Sequence, residues 1–247
     1  MSVNSYLENL AKEAIVRDNE KTKIQTSIRT IKERLENYFG SELESVFLFG
    51  SYRRNTIISR KFDDNSDVDI MVVFKTNGYQ LYKPETYINK LKDFMKQKYF
   101  QSEIYRDYPT AVLELNHIKF ELVPAIKNYT IDYQIPCKDV YRDWMNTNPN
   151  DLDGALVNNQ TLRRLVRIAK IWNARQDYIY KSYELEKWIV NNRFYGNLSD
   201  YFYQFCELLP INWNLSENKQ NKIQRLKVFA QNTKCSDNEI YLQGLFE

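Results

Sequence analysis

Apolar residues in the first forty positions recur at three- and four-residue spacing. Ile24, Ile28, Ile31, Leu35 and Phe39 form one stripe, the period of a helix that buries a single face. The spacing predicts helix over 5–39, in two segments broken near Arg17–Glu20, with Gly40 as C-cap. The period then changes. Val46–Phe49 is a short apolar run and Asp67–Phe74 (DVDIMVVF) a longer one, both sized for buried strands. Lys75-Thr76-Asn77-Gly78 reads as the exit turn of the second. Pro84 opens a helix through about Tyr99, with Tyr87, Leu91, Phe94 and Met95 on one face. Ala111–Leu115 and Ile118–Val123, joined by Asn116-His117, predict a β-hairpin. From about Thr161 the pattern is helical only, near 161–175, 183–192, 198–209 and 217–232. Between the halves, Cys137–Asn159 carries Pro149, Gly154 and many Asn and Asp residues, and reads as a linker. The expectation is an α+β chain: a mixed sheet with helices over 1–155, including the N-terminal helix, then a helical lobe over 156–247. No internal repeat is visible.

Composition narrows the picture. A length of 247 residues suits one large domain or two lobes. Only 6 Gly and 6 Pro point to regular structure with few flexible linkers. Net charge is +3, so contact with a nucleotide or nucleic acid must come from a local patch. Cys137, Cys206 and Cys235 are far apart, and His117 is the sole histidine, which excludes zinc clusters and Cys/His catalytic pairs. Such cysteine usage fits a reducing cytosol. The N-terminus is too charged for a signal peptide, and no apolar run approaches a membrane span. A cytoplasmic protein with no membrane partner is expected.

The chemistry concentrates in residues 47–74, FLFGSYRRNTIISRKFDDNSDVDIMVVF. Side chains alternate along a strand, so Asp67 and Asp69 point the same way and can hold metal together. Gly50-Ser51, at a helix start, offers backbone N–H groups, a hydroxyl and a positive dipole end to a phosphate. Together these make a nucleoside-triphosphate site with bound Mg²⁺. Two-metal phosphoryl transfer needs acidic ligands on both ions. Glu121, in HIKFELVPA, is the candidate third ligand: it sits among Phe120, Leu122 and Val123, where an unpartnered carboxylate is costly. The alternative is that Glu121 faces solvent, in alternation with Lys119. In LRRLVRIAKIWNAR, Arg163, Arg167 and Lys170 share one helix face, opposite Leu165, Ile168, Ala169 and Trp172. That face would present three cations to a phosphate, or simply be solvated.

GSY, a following Thr56, DVDIMVVF and then ELVPA together resemble the polymerase-β-like nucleotidyltransferases. The resemblance runs over roughly residues 20–190. It lies with the branch containing oligoadenylate synthases, cyclic GMP–AMP synthase, archaeal CCA-adding enzymes and bacterial dinucleotide-cyclase-like anti-phage enzymes. It implies a palm domain and a C-terminal helical lobe, with the active site in the cleft between them. Asp67, Asp69 and Glu121 would be the catalytic and metal-binding carboxylates, holding two Mg²⁺ ions for which Mn²⁺ could substitute. Gly50 and Ser51, with Thr56 beyond them, would bind the triphosphate. Lys170 and Ser182 would clamp its tail, with Arg163 and Arg167 nearby, and Tyr183 would stack on the base. Ser182 also reads as a helix N-cap. The third acidic position is more often Asp in these relatives. Glu121 is one methylene longer, which would alter the metal geometry.

The implied reaction moves NMP or dNMP from a nucleoside triphosphate to a hydroxyl, releasing pyrophosphate. Three acceptors stay open. A second nucleotide would give a cyclic or linear oligonucleotide signal in bacterial anti-phage defence, answered by an effector protein. A nucleic-acid end would be extended without a template, and a protein hydroxyl would be nucleotidylated. An inactive nucleotide-binding scaffold is the rival of a different class, although Asp67 and Asp69 would repel without a cation. The length leaves little room for a separate tRNA-binding tail. The last 55 residues carry no diagnostic motif; Lys219, Lys222, Arg225 and Lys227 read as a solvated face.

Overall fold

The computed structural model describes residues 1–76, 81–127, 133–137, 143–236 and 238–246. The chain begins with helices α1 (Val3–Glu13) and α2 (Asp18–Phe39) and a 3-10 turn at Gly40–Glu42. Strand β1 (Leu43–Phe49), the single-turn helix α3 (Gly50–Arg53) and strand β2 (Asp67–Phe74) follow. Helix α4 (Pro84–Lys98) precedes β3 (Glu103–Asp107), β4 (Thr110–Leu115), β5 (Ile118–Lys127), β6 (Tyr133–Pro136) and β7 (Trp144–Thr147). The rest is helical: α5 (Asp153–Val157), α6 (Gln160–Arg175), α7 (Ser182–Asn191), α8 (Leu198–Leu208), α9 (Glu217–Thr233) and α10 (Ile240–Phe246). No described helix is long and apolar enough to cross a membrane.

Residues 17–57 and 65–151 form a sheet unit. Its strands run in the order β1-β2-β5-β4-β3, with β6 on β5 and β7 on β6. Among the described residues, β2 and β5 pair in parallel and the other ladders are antiparallel. One face of the sheet is its core. Val68, Ile70, Val72, Phe120 and Leu122 are fully buried there, with the apolar stripes of α2 and α4 packed alongside; Phe39 and Tyr87 both close on Phe74, at 5.3 and 4.9 Å between ring centroids. On the opposite face Met71, Val73 and Ala125 form a second cluster with Phe47, Phe49, Tyr133 and Ile135. Strand β2 is therefore buried on both sides along most of its length, which is why its sequence is a continuous apolar run. Its first residues, Asp67 and Asp69, stand at the half-exposed end.

Residues 1–16, 58–64 and 152–247 form a helical unit. Helix α6 is its centre, buried at Leu162 and at every position from Leu165 to Asn173. Trp172, Phe202 and Phe205 are among its largest buried side chains, and α1 adds Val3, Leu7 and Ala11 to the same core.

The structure departs from the sequence-based expectations in several places. Helix α1 belongs to the helical unit, and the last boundary falls between Asp151 and Leu152. The expected linker holds strand β7 and helix α5. Strands β3 and β6 and helix α10 were not expected either. Of the expected exit turn, Asn77 and Gly78 lie outside the described residues.

Candidate active site

Strand β1 delivers the chain to the acidic end of β2: its last residue, Phe49, pairs with Asp69. The backbone then turns at Gly50, whose φ of +69° is a left-handed conformation that L side chains rarely adopt. A Cβ there would also lie 1.9 Å from Asp69 Oδ2. Glycine is thus required twice over, and the turn's backbone packs against the carboxylate. The helix that follows is a single turn, and residues 54–66 are otherwise irregular. The N–H groups of Thr56 and Ile57 donate to the Ser51 carbonyl at 3.0 and 3.1 Å. Thr56 is fully buried and its hydroxyl donates to the same carbonyl at 3.4 Å. Thr56 thus braces the turn from beneath.

The parallel β2–β5 ladder sets Asp69 beside Glu121 and Asp67 beside Lys119. All four side chains lie on one face, because residues two apart on a strand point the same way. The Lys119 ammonium stands 3.1 Å from Glu121 Oε1 and 3.6 Å from Asp67 Oδ2. Burial works against its charge, but the Asp67 and Glu121 carboxylates outweigh that and hold its pKa above the ordinary lysine value. Tyr105, on β3, belongs to the same neighbourhood. Burial pushes its hydroxyl up, Lys119 opposes this, and Glu114, Glu121 and Glu103 add to it.

Among the described residues, no three His, Cys, Asp or Glu side chains are grouped so as to hold a metal ion. The carboxylates are instead gathered around an ammonium. Their chemistry nonetheless fits a hard divalent cation: three carboxylates on adjacent strands, two of them already spanned by a positive charge. Lys119 is the site residue that sequence reasoning missed. The rule that aligned Asp67 with Asp69 also aligns Lys119 with Glu121; the two share a face rather than alternating.

The helical unit treats its expected phosphate-binding residues differently. Arg163 donates through Nη1 to the Leu156 and Val157 carbonyls, the latter at 2.6 Å, closing the end of α5. Arg167 is buried and donates through Nε to the Ala11 carbonyl at 3.0 Å. Burial, then repulsion from Arg163 and Arg164, lowers its pKa to about 10. Lys170 Nζ lies 2.8 Å from Glu186 Oε2 in an ion pair whose side chains are 7% and 1% exposed. Helix α6 therefore does not present a face of three cations, because its neighbours have claimed them. Ser182 is the first residue of α7 rather than its N-cap; Lys181 holds that position, with no side-chain bond. Ser182 and Tyr183 are both exposed, and Lys187 Nζ sits 5.5 Å from the centre of the Tyr183 ring. In this unit the structure brings Lys170, Ser182 and Tyr183 to the adjoining helices α6 and α7.

Residues 1–159 match the model of the Second Messenger Oligonucleotide or Dinucleotide Synthetase domain. The chain belongs to that family. Its members are nucleotidyltransferases, and so is this protein. Solved structures agree on the fold. Vibrio cholerae DncV, a cyclic AMP-GMP synthase in complex with the linear intermediate 5' pppA(3',5')pG, superposes with a TM-score of 0.76 at 10% identity over 99% of this chain and 96% of that one. Bradyrhizobium diazoefficiens CdnG in complex with GTP gives 0.75 at 12% identity, covering 97% and 93%. Elizabethkingia meningoseptica CdnE, a cyclic dinucleotide synthase with GTP and Apcpp, gives 0.65 at 22% identity, covering 97% and 98%. No curated protein matches the sequence. The architecture is thus the polymerase-β-like α+β fold expected from the motifs.

Proposed function

We propose that the protein transfers NMP from one nucleoside triphosphate to a hydroxyl of another, releasing pyrophosphate and building a cyclic or linear oligonucleotide. In the cytoplasm of a bacterial host this product would serve anti-phage defence through an effector protein that binds it. The observation that carries the reading is the Gly50 turn closed against Asp69, with Asp69 in register beside Glu121. The relatives bound to GTP, and to a linear dinucleotide intermediate, support it.

Asp67, Asp69 and Glu121 would hold Mg²⁺ or Mn²⁺, which would supply charge neutralisation at the triphosphate and acidify the acceptor hydroxyl. The chain's own groups do the positioning. The Gly50-Ser51 turn offers N–H groups and the Ser51 hydroxyl to the β- and γ-phosphates, and Thr56 keeps that turn in shape. In the helical unit, the Ser182 hydroxyl would reach the phosphate tail and the Tyr183 ring would stack on the base. Lys170 would act by fixing α7 through Glu186, while Arg163 and Arg167 would add positive potential from within their structural bonds. Little covalent chemistry is asked of the protein, so positioning and charge carry the rate.

The test is incubation with Mg²⁺ or Mn²⁺ and each α-labelled NTP and dNTP, alone and mixed. Products are resolved by thin-layer chromatography and denaturing gel beside Asp67→Ala/Asp69→Ala. A small phosphatase-resistant product, absent from the double variant, is expected. A ladder would mean a linear polymer, and label on the protein band a protein acceptor. Equal product from the double variant would overturn the assignment of the site.

A further inference from the structure

The acidic end of β2 and β5 carries a residue with no place in the reaction as described so far. Lys119 is largely buried, at 13% side-chain exposure, and its ammonium spans Asp67 and Glu121 at 3.6 and 3.1 Å. An exposed pair of this kind would contribute little. Here one cation serves two carboxylates on neighbouring strands, and without it three like charges would crowd one end of the sheet. We propose that Lys119 is a resident counter-cation of the acidic site. It keeps the place across Asp67 and Glu121 that a divalent ion must take, so that ion and Lys119 exclude one another there. The inference rests on the reading that these carboxylates bind metal.

The exclusion follows from charge. An ammonium and a divalent ion sharing the same two carboxylates would repel strongly at contact distances. Metal can enter that pair only as Lys119 leaves. The sheet offers a destination, because Glu114 on β4 is its cross-strand neighbour. Loading of this pair is therefore weak in the free protein. It becomes favourable when a triphosphate brings further negative charge to the site, which couples metal binding to nucleotide binding.

The experiment is a nucleotide-free Mn²⁺ titration of the whole chain, read as loss of the free-ion electron paramagnetic resonance signal. The proteins compared are wild type, Lys119→Met, Lys119→Gln, Lys119→Arg and Asp67→Asn/Asp69→Asn. Removing the charge in the Met and Gln variants is expected to tighten Mn²⁺ binding about tenfold or more, while Lys119→Arg stays near wild type. Thermal melting gives a second readout. The Met and Gln variants should melt lower in EDTA and gain more from Mn²⁺ than wild type does. Because Gln can still donate to the carboxylates, it keeps the test open if Met does not fold. Affinity in both neutral variants within about twofold of wild type, with binding lost in Asp67→Asn/Asp69→Asn, would overturn the role of Lys119 and leave the metal reading intact. Unchanged binding in that double variant would remove the metal reading itself, and the proposal with it.

Discussion

Gly50 leaves no space for a side chain beside Asp69: a Cβ would meet its Oδ2 at 1.9 Å and its Cγ at 2.7 Å. A methyl group there must rotate the carboxylate out of its place next to Glu121. Gly50→Ala is therefore expected to lower turnover by about 100-fold, the scale of an ångström-level misplacement of a reacting group. It should also lower the melting temperature. In an Asp69→Ala background the contacts to Oδ2 and Cγ are gone, which leaves a tight 3.1 Å approach to Cβ and a backbone strain of about 1–2 kcal/mol, a smaller penalty. A double-mutant cycle by thermal melting checks this; equal penalties in both backgrounds would mean that Asp69 is not what the methyl group meets.

The buried Lys170–Glu186 pair separates structural from substrate-binding roles on α6. Lys170→Met strands a carboxylate in the core and should destabilise the protein by about 3–5 kcal/mol. Lys170→Met/Glu186→Leu should recover most of that loss in urea unfolding. If Lys170 acts only by fixing α7, the double variant also regains the wild-type KM. A KM that stays high in a restabilised double variant would show that the ammonium itself meets the phosphates.

Tyr183 is 46% exposed, so its truncation should leave the fold intact. Tyr183→Ala is expected to raise the nucleotide KM about tenfold, as loss of a base-stacking ring does, while Tyr183→Phe stays near wild type. Initial-rate kinetics with both variants decide it. Equal rises would assign the effect to the hydroxyl.

Tyr180 gives the helical unit a sensitivity to alkali. Its hydroxyl donates to the Pro210 carbonyl, and burial raises its pKa from 10.0 to about 12. The folded state thus keeps this proton to higher pH than the unfolded state. Where the native state binds more protons, stability falls as pH rises. The contribution is whole below pH 10 and is lost on the way to about 12. Melting temperatures at about pH 9 and pH 11 should fall more for wild type than for Tyr180→Phe, which has no proton to lose. Parallel falls would refute the assignment.

Where periodicity was strong, the sequence was readable. Strand β2 spans Asp67–Phe74 as its apolar run predicts, and α6 to α9 end within a residue of their patterns. The elements that escaped lack such a signal. Strand β3, EIYRD, is largely exposed, and β6 and β7 are four residues each, held by their ladder rather than by any pattern of their own. The Gly50-Ser51 turn was visible as a motif. Its closure on Asp69 was not, because that needs the β1–β2 register. A helical wheel groups Arg167 and Lys170 on one face, but it cannot show that the Ala11 carbonyl, 156 residues away, and Glu186 take them inside. Polar residues mark a face as needing partners; only tertiary structure tells whether water or protein supplies them.

The chain passes between its two units at 16/17, 57/58, 64/65 and 151/152. Neither unit is one stretch of sequence, so neither can be inherited as a cassette. A recombinant joining this sheet unit to a relative's helical unit at a single junction would keep the wrong first helix, with Val3, Leu7 and Ala11 packed into a core that evolved around other residues. Shuffling among relatives should therefore succeed only where the N-terminal sixteen residues, the 58–64 segment and the C-terminal helices travel together. The interleaving ties the two units together in the sequence, so that an exchange of either one must carry every segment that builds it.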